Sequence, residues 1–287
     1  MIDEAPMISI IICSRNQTIT PILAENIKNT TGVEYELIVI DNSENQHSIF
    51  EAYNKGIEKS TAKYLCFFHE DILFHTENWG NLLINLFRDN PEFGLFGLAG
   101  SELKTKIPSG WWDCDQKYKA LNIIQHFPNG GIEQQYIGFK SRNLQEVVVV
   151  DGVFLGLKKE IGVSFNDDLM GFHGYDLNIS LEVLKTGNKI GVTNSILIEH
   201  FSYGNLNSAW LKSVIQVHKL YKNSLPLFIN KMDLINFEIL NCEKLMDKCM
   251  GLGEKKWFFY YWFKLFFLKP RSGMHLKFIK KIIIYSK

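Results

Sequence analysis

The chain of 287 residues is short of several things, and each shortage excludes something. It has five cysteines, an odd number, with no C-x-x-C pair and no two closer than seven positions. That spacing argues against both a disulfide framework and a zinc site. Cys13 and Cys66 sit inside apolar runs and read as reduced, buried small hydrophobes. The N-terminal MIDEAPMISI is acidic and lacks the basic segment and apolar core of a secretion signal, so a cytoplasmic protein is expected. No glycine stands in the turn after the first apolar run, CSRNQ, where a dinucleotide-binding fold needs G-x-G-x-x-G. The one glycine series, Gly94, Gly97 and Gly100, has the wrong spacing and position and reads as close packing. Net charge is also lacking, at 31 Lys+Arg against 31 Asp+Glu, but the balance is uneven. Lys255 to Lys287 holds nine cations and no acid, leaving 22 basic residues against all 31 acidic ones in the rest. With an acidic body and no recognisable nucleic-acid module, the basic run is not read as a nucleic-acid arm.

What is present begins with ISIIIC (Ile8 to Cys13), a continuous β-branched run that reads as a strand buried on both faces. ELIVI (Glu36 to Ile40) and YLCFF (Tyr64 to Phe68) repeat the pattern, and the segments between are long enough for crossover helices. Ile49, Phe50, Tyr53 and Ile57 mark one helix, and Trp79, Leu82, Leu83, Leu86 and Phe87 another. The reading is an α/β protein with an open, mostly parallel sheet flanked by helices. Such sheets bind ligands at the carboxyl ends of their strands. The residues there are Ser14-Arg15-Asn16, Asp41-Asn42-Ser43 and His69-Glu70-Asp71. Carboxylates at a strand end are hard oxygen ligands suited to Mg²⁺ or Mn²⁺. A plain alternative is an acidic pair favoured at the N-terminus of the Trp79 helix.

Taken together, SIIICSRN, ELIVIDNS and AYNKGIEKSTAKYLCFFHED resemble the inverting nucleotide-sugar glycosyltransferases of family 2, which have the GT-A fold. The resemblance runs from about Met7 to Tyr203. It implies that Ser14, Arg15 and Asn16 open the nucleotide site, that Asp41 contacts the base, and that Asn54 and Gly56 belong to the helix signature leading into the metal motif. HED stands where D-x-D is expected. His69 replaces the first Asp, so Asp71 is the expected ligand of Mn²⁺ or Mg²⁺ and Glu70 a metal or ribose contact. VVVVDGVFLGLKKE resembles the segment beneath the sugar, which brings in Asp151 and Gly152 on the donor side. Asp176, at the head of the helix in GFHGYDLNISLEVLKTG, takes the position of the catalytic base. Its neighbours Asp167 and Asp168 are alternatives for that role, and a first-turn carboxylate with no chemistry is the plain reading. His200, closing SILIEH, resembles a late histidine that completes the metal shell or meets the diphosphate. Trp111 and Trp112 in SGWWDC, and His173, are candidate sugar or acceptor contacts.

The function so implied is transfer, with inversion, of a sugar from a nucleotide-diphosphate donor to a hydroxyl of a glycan or lipid-linked acceptor, of the cell-surface polysaccharide type. A non-catalytic nucleotide-sugar or glycan-binding module on the same fold is the alternative that His69 leaves open. A nucleotidyltransferase is disfavoured, because CSRNQTITP lacks a glycine-rich phosphate loop. Residues 1–205 are expected to form the catalytic domain and 206–287 a helical extension. In that extension Trp257 to Leu268 holds nine aromatics in twelve residues, too short to span a bilayer. Beside nine cations, it suggests an in-plane anchor on the inner face of a membrane, with a helix packed on the catalytic domain or a second subunit as the alternative.

Overall fold

The structure is a computed structural model that describes residues 7–139, 142–231 and 233–285, with side chains through residue 280. In chain order it runs β1 (Ile8–Ser14), α1 (Pro21–Thr30), β2 (Tyr35–Asp41), α2 (Ile49–Lys59), β3 (Tyr64–Phe68), β4 (Ile72–Phe74) and α3 (Trp79–Asp89). Five short strands and two longer ones follow: β5 (Phe93–Gly97), β6 (Ala99–Ser101), β7 (Leu103–Lys104), β8 (Lys119–His126), β9 (Ile132–Ile137), β10 (Leu144–Val147) and β11 (Val149–Val150). Then come β12 (Phe154–Lys158), α4 (Tyr175–Lys185), β13 (Lys189–Thr193) and β14 (Ile198–His200). The chain ends with α5 (Ser208–Leu220), β15 (Leu227–Phe228), α6 (Ile235–Gly251), α7 (Lys255–Leu268) and α8 (Gly273–Tyr285).

The main sheet has seven strands in the order β10-β13-β5-β12-β3-β1-β2. The pairs β1–β2, β1–β3 and β5–β13 are parallel. Only β10 and β12 run against the other five, so the sheet is mostly parallel as expected. β1 and β3 are buried nearly throughout, which is why they read as unbroken apolar runs. Helix α2 packs directly on β1 because Gly56 has no side chain; a Cβ there would overlap Ile11. Ser48 caps the start of α2, its Oγ accepting from Glu51 N at 3.2 Å.

A second sheet, β11-β6-β8-β14-β4 with β9 on β8, stands against the mouth of the first. Its pairing of β14 with β4 is antiparallel and sets His200 opposite Ile72. The antiparallel course of β12 matters equally, since it turns the N-terminal end of that strand, with Asp151 and Gly152, toward the C-terminal end of β3. His69 N donates to Val153 O at 3.3 Å across that junction.

Helix α5 faces two cores. Val217 and Tyr221 join the core that covers one face of the main sheet, while Trp210, Leu211, Val214 and Ile215 join a cluster with Cys242, Met246, Phe258, Leu265 and Phe278. The C-terminal helices therefore pack on the body, through Ile107 and the Glu238 carboxylate, which accepts from Lys106 N (2.6 Å) and Ile107 N (2.8 Å). Only one side of α7 is used in this. Phe258, Tyr261 and Leu265 are buried, and Phe259, Phe263, Phe266 and Phe267 on the other side are 50 to 71% exposed. All five cysteines are free.

Candidate active site

The site is built where β1, β2 and β3 end and the second sheet abuts them. His69 and Asp71 leave the end of β3, and the β4–β14 pairing carries His200 to them. His69 Nδ1 lies 3.4 Å from His200 Nε2, and Asp71 Oδ1 is 3.8 Å from His69 Nδ1 and 3.7 Å from His200 Nε2. Metal–ligand bonds of about 2.1 Å set neighbouring ligand atoms roughly 3 to 4 Å apart, so this trio has the spacing of a divalent-ion site.

The surroundings orient both imidazoles and set the tautomer of His200. The Gln125 amide donates from Nε2 to Ser202 O and His126 O, both at 2.7 Å, which fixes its Oε1 as the acceptor facing His200 Nδ1 at 3.1 Å. Nδ1 then carries the proton, and Nε2 presents its lone pair to the cluster. On the other imidazole, Nε2 pairs with the Tyr175 hydroxyl at 2.6 Å, leaving Nδ1 for the cluster. This is the outer hydrogen bonding that orients metal-bound histidines. Burial and the neighbouring His69 push the His200 imidazole below its ordinary range, toward the neutral, ligating form. Burial raises the Asp71 carboxyl, but its bond to the Ser202 hydroxyl and the two imidazoles outweigh that, and it lies below the ordinary range. One carboxylate and two imidazoles suit Mn²⁺ better than Mg²⁺, which prefers an all-oxygen shell.

Tyr175 can reach His69 because position 152 is glycine; a Cβ there would overlap the Tyr175 hydroxyl. Tyr175→Phe is therefore expected to weaken Mn²⁺ binding by about 10- to 100-fold, and Gly152→Ala to do the same with Tyr175 intact. Titration calorimetry of both variants checks this, and unchanged affinity in both would sever Tyr175 from the cluster.

The other residues singled out in the sequence fall into three groups. Glu70, expected with the metal ligands, does not join the trio. Its carboxylate accepts from Ser14 Oγ at 2.6 Å and Arg15 N at 3.3 Å, so Glu70, Ser14 and Arg15 form one polar lip at the end of β1. Asn16 N donates to Ser14 Oγ at 3.1 Å, and the Arg15 side chain is open to solvent. Asp41 is at the end of β2, its Oδ1 accepting from Ser43 N at 2.9 Å. The alternative of helix capping by the acidic pair is not what forms: β4 intervenes, and the residue preceding α3 is Asn78.

Asn54 faces the loop before α4. Its amide donates to Phe165 O (2.8 Å) and Asp167 Oδ1 (2.7 Å) and accepts from Phe165 N (2.9 Å). With Gly56 against Ile11, the helix signature is engaged in packing and loop anchoring. Asp168 is exposed, and His173 is half-buried with its imidazole pushed down by burial.

Asp176 lies in the first turn of α4, where Leu177 N donates to its Oδ1 at 2.8 Å. Burial, and then the charge of Asp151, push its carboxyl up to about 7. Asp151 in turn accepts from Trp111 Nε1–H at 2.5 Å and Val153 N at 2.8 Å. Trp111 and Trp112 meet edge to face at 5.9 Å on the loop after β7. That loop is held from inside by Lys104, whose buried ammonium donates to Ser109 O (2.5 Å), Ser109 Oγ (2.6 Å) and Gly110 O (3.2 Å). Tyr175, Gln125 and Lys104 are the residues that sequence reasoning passed over, although Tyr175 stood in GFHGYDLNISLEVLKTG, and in the sequence His69 reads only as a replacement for the first Asp of the metal motif.

Among curated proteins, none matches the chain. Among solved structures, the crystal structure of A197 from STIV aligns at 14% identity and TM-score 0.39, over 79% of this chain and 95% of that one. The crystal structure of GalNAc-T7 with UDP, GalNAc and Mn²⁺ aligns at 10% identity and TM-score 0.52, over 88% of this chain and about half, 54%, of that one. At that identity the likeness speaks for the fold alone. Residues 9–224 match the Glycosyltransferase-like family, which is most of the chain and includes every strand end that builds the site. The chain belongs to the glycosyltransferase-like family, of the family 2 type, and has the GT-A fold.

Proposed function

We propose that the chain is a metal-dependent inverting glycosyltransferase, moving a sugar from a nucleotide-diphosphate donor to a hydroxyl of a glycan or lipid-linked acceptor. The observation that carries this reading is the convergence of Asp71, His69 and His200, with the His200 tautomer set by Gln125 and the His69 ring held by Tyr175, on the strand ends where α/β sheets bind ligands. Asp71, His69 and His200 would hold a divalent ion, which would supply positive charge to a departing diphosphate. The polar lip of Glu70, Ser14 and Arg15, with Asp41 on the neighbouring strand, receives the nucleoside end of the donor. Asp176 takes the proton of the acceptor hydroxyl as it attacks the anomeric carbon from the face opposite the nucleotide. Burial, and then the charge of Asp151, which is fixed by Trp111 and Val153, keep the Asp176 carboxyl basic enough to do so.

The test is nucleotide release from UDP-, GDP- and dTDP-sugars with Mn²⁺, Mg²⁺ or EDTA. Turnover of one donor, faster with Mn²⁺ than Mg²⁺ and abolished by EDTA, supports the reading. Retention of a donor without release, even with candidate acceptors, would make the chain a binding module instead.

Residues 206–287 are proposed to seat this enzyme on an anionic bilayer. No helix among the described residues is long and apolar enough to cross a membrane. The support is the open face of α7, where Phe259, Phe263, Phe266 and Phe267 are exposed on a helix that also carries Lys255, Lys256 and Lys264, in a segment, 255–287, that holds no acidic residue. Sedimentation with vesicles containing phosphatidylglycerol is expected, weakened by 0.5 M salt and lost in the Phe263→Asp, Phe267→Asp double variant. Equal recovery of natural and double-variant chains in the vesicle pellet would leave α7 as an ordinary packed helix.

A further inference from the structure

We infer that Glu238, on helix α6, is a positioning residue for sugar transfer: it fastens the loop whose Trp111 holds Asp151, so that the C-terminal helices complete the catalytic domain. This rests on the transferase reading and extends it to a helix that reading does not use. The Glu238 carboxylate accepts from two successive backbone amides, Lys106 N at 2.6 Å and Ile107 N at 2.8 Å. Both amides lie just past β7, whose pairing with β15 stops at Lys104, so no sheet neighbour takes them. Bonds to an ionised acceptor are the stronger kind, and a carboxylate engaged with both oxygens also fixes direction.

The next turns of α6 repeat the hold. Asn241 donates its amide N–H to Thr105 Oγ1 at 2.9 Å, and Lys244 pairs with Asp113 at 3.2 Å. Asp113 closes the loop on itself, its other oxygen accepting from Gly110 N at 2.8 Å. Glu238, Asn241 and Lys244 stand three positions apart, which brings neighbours to one side of a helix. They meet the loop both before and after Trp111. From inside the body, Lys104 takes Ser109 O and Gly110 O. Helix α6 is itself braced, since Cys242, Leu245, Met246 and Cys249 are buried in one cluster with Phe258, Tyr261 and Leu265 of α7.

What this loop delivers to the site is a single hydrogen bond. Trp111 Nε1–H reaches one Asp151 oxygen at 2.5 Å, and Val153 N takes the other at 2.8 Å. An indole has one donor and can place it only where its backbone allows. A shift of about an ångström at residue 111 would break that bond or turn the Asp151 carboxylate. Misplacement on that scale, caused far from the chemistry, costs about 10²-fold in rate. Glu238 is remote from the reacting atoms, yet the position of Asp151 depends on it through the loop.

The experiment is steady-state nucleotide release by the full chain with Mn²⁺, for Glu238→Ala, Glu238→Gln, Trp111→Phe and the Glu238→Ala, Trp111→Phe double variant. Glu238→Ala is expected to lower kcat by about 10- to 100-fold, with donor KM and Mn²⁺ affinity unchanged. Glu238→Gln keeps the size of the side chain and one acceptor oxygen, so it should fall between, and it guards against Glu238→Ala failing to fold. Thermal melts check each variant. Trp111→Phe loses the bond to Asp151 and should fall likewise, and adding Glu238→Ala to it should cost nothing more, because the clasp acts through that indole. A brace of the fold alone would give losses that multiply in the double variant, or none, and either result overturns the proposal. Amide hydrogen exchange needs no turnover and is followed alongside. Glu238→Ala should speed exchange at Lys106 and Ile107 by about tenfold or more, and unchanged exchange there sinks the clasp whatever the kinetics. If the natural chain releases nucleotide from no donor, the transferase reading fails and the role of Glu238 in transfer goes with it. Turnover by the natural chain with kcat unaltered in both Glu238 variants sinks Glu238 alone.

Discussion

Asp176→Asn is expected to lower sugar transfer by about 10² to 10⁴-fold while donor affinity stays near that of the natural chain, which is the cost of losing a positioned general base. Asparagine keeps the shape and the acceptor for Leu177 N, so the loss is one of basicity, not of local structure. The natural enzyme should show the same group in its pH profile. With burial and Asp151 holding the carboxyl up to about 7, the ionised, working form grows through neutral pH, so the rate rises with pH and levels off above about 7. Stability runs the other way. A carboxyl raised above its unfolded value favours folding fully below about pH 4, where both states hold the proton, and loses that advantage as pH climbs through 7. In the metal-free protein, Asp176→Asn should therefore melt higher than the natural chain at pH 8 and gain little at pH 5. Steady-state kinetics and melts across pH 5 to 9 check both limbs. Transfer that survives in Asp176→Asn would pass the base role to Asp167, Asp168 or another acid.

The second large effect concerns the trio. Asp71→Ala removes its one carboxylate and is expected to weaken Mn²⁺ binding by more than about 100-fold, since loss of a ligand should exceed the 10- to 100-fold cost of losing an outer partner. Metal-dependent donor binding and nucleotide release should fall with it. The comparison that discriminates is between the two residues before it. His69→Ala should lose Mn²⁺ affinity, whereas Glu70→Gln should keep it and lose donor affinity instead, because the Glu70 carboxylate is engaged with Ser14 and Arg15. Manganese binding followed by electron paramagnetic resonance separates these outcomes. The opposite ranking, with Glu70→Gln losing metal and His69→Ala not, would restore the D-x-D-like reading of HED in which Glu70 ligates.

That comparison also shows what the sequence could and could not convey. The runs at Ile8, Glu36 and Tyr64 are legible because strands buried on both faces must be apolar throughout, and the ligand edge follows from their parallel course. Asp71 and His200 are legible as chemistry at strand ends. The pairing of His69 with Asp71 is not, because it depends on a strand 131 residues away that brings His200 between them, and pairing across a sheet leaves no local trace. Strand alternation does not part Glu70 from them either, because Glu70 and Asp71 lie in the turn between β3 and β4. The strands β6, β7 and β11 have two or three residues each, too few to show any period. Asn54 is legible as part of a motif, but the contacts of its amide with the backbone of Phe165, by which it anchors a loop, are not.

The β4–β14 junction has a consequence for the chain as a polymer. His69 and Asp71 belong to one end of a long loop and His200 to the other, so an ion shared among them would act as a removable crosslink across some 130 residues. A link that closes so long a loop restricts the unfolded chain far more than a local one. By mass action, an ion at a thousand times its dissociation constant adds about 4 kcal/mol to the folded state. The two sheets would then be tethered to each other or free according to the supply of metal, and the melting temperature of this protein would serve as a readout of it.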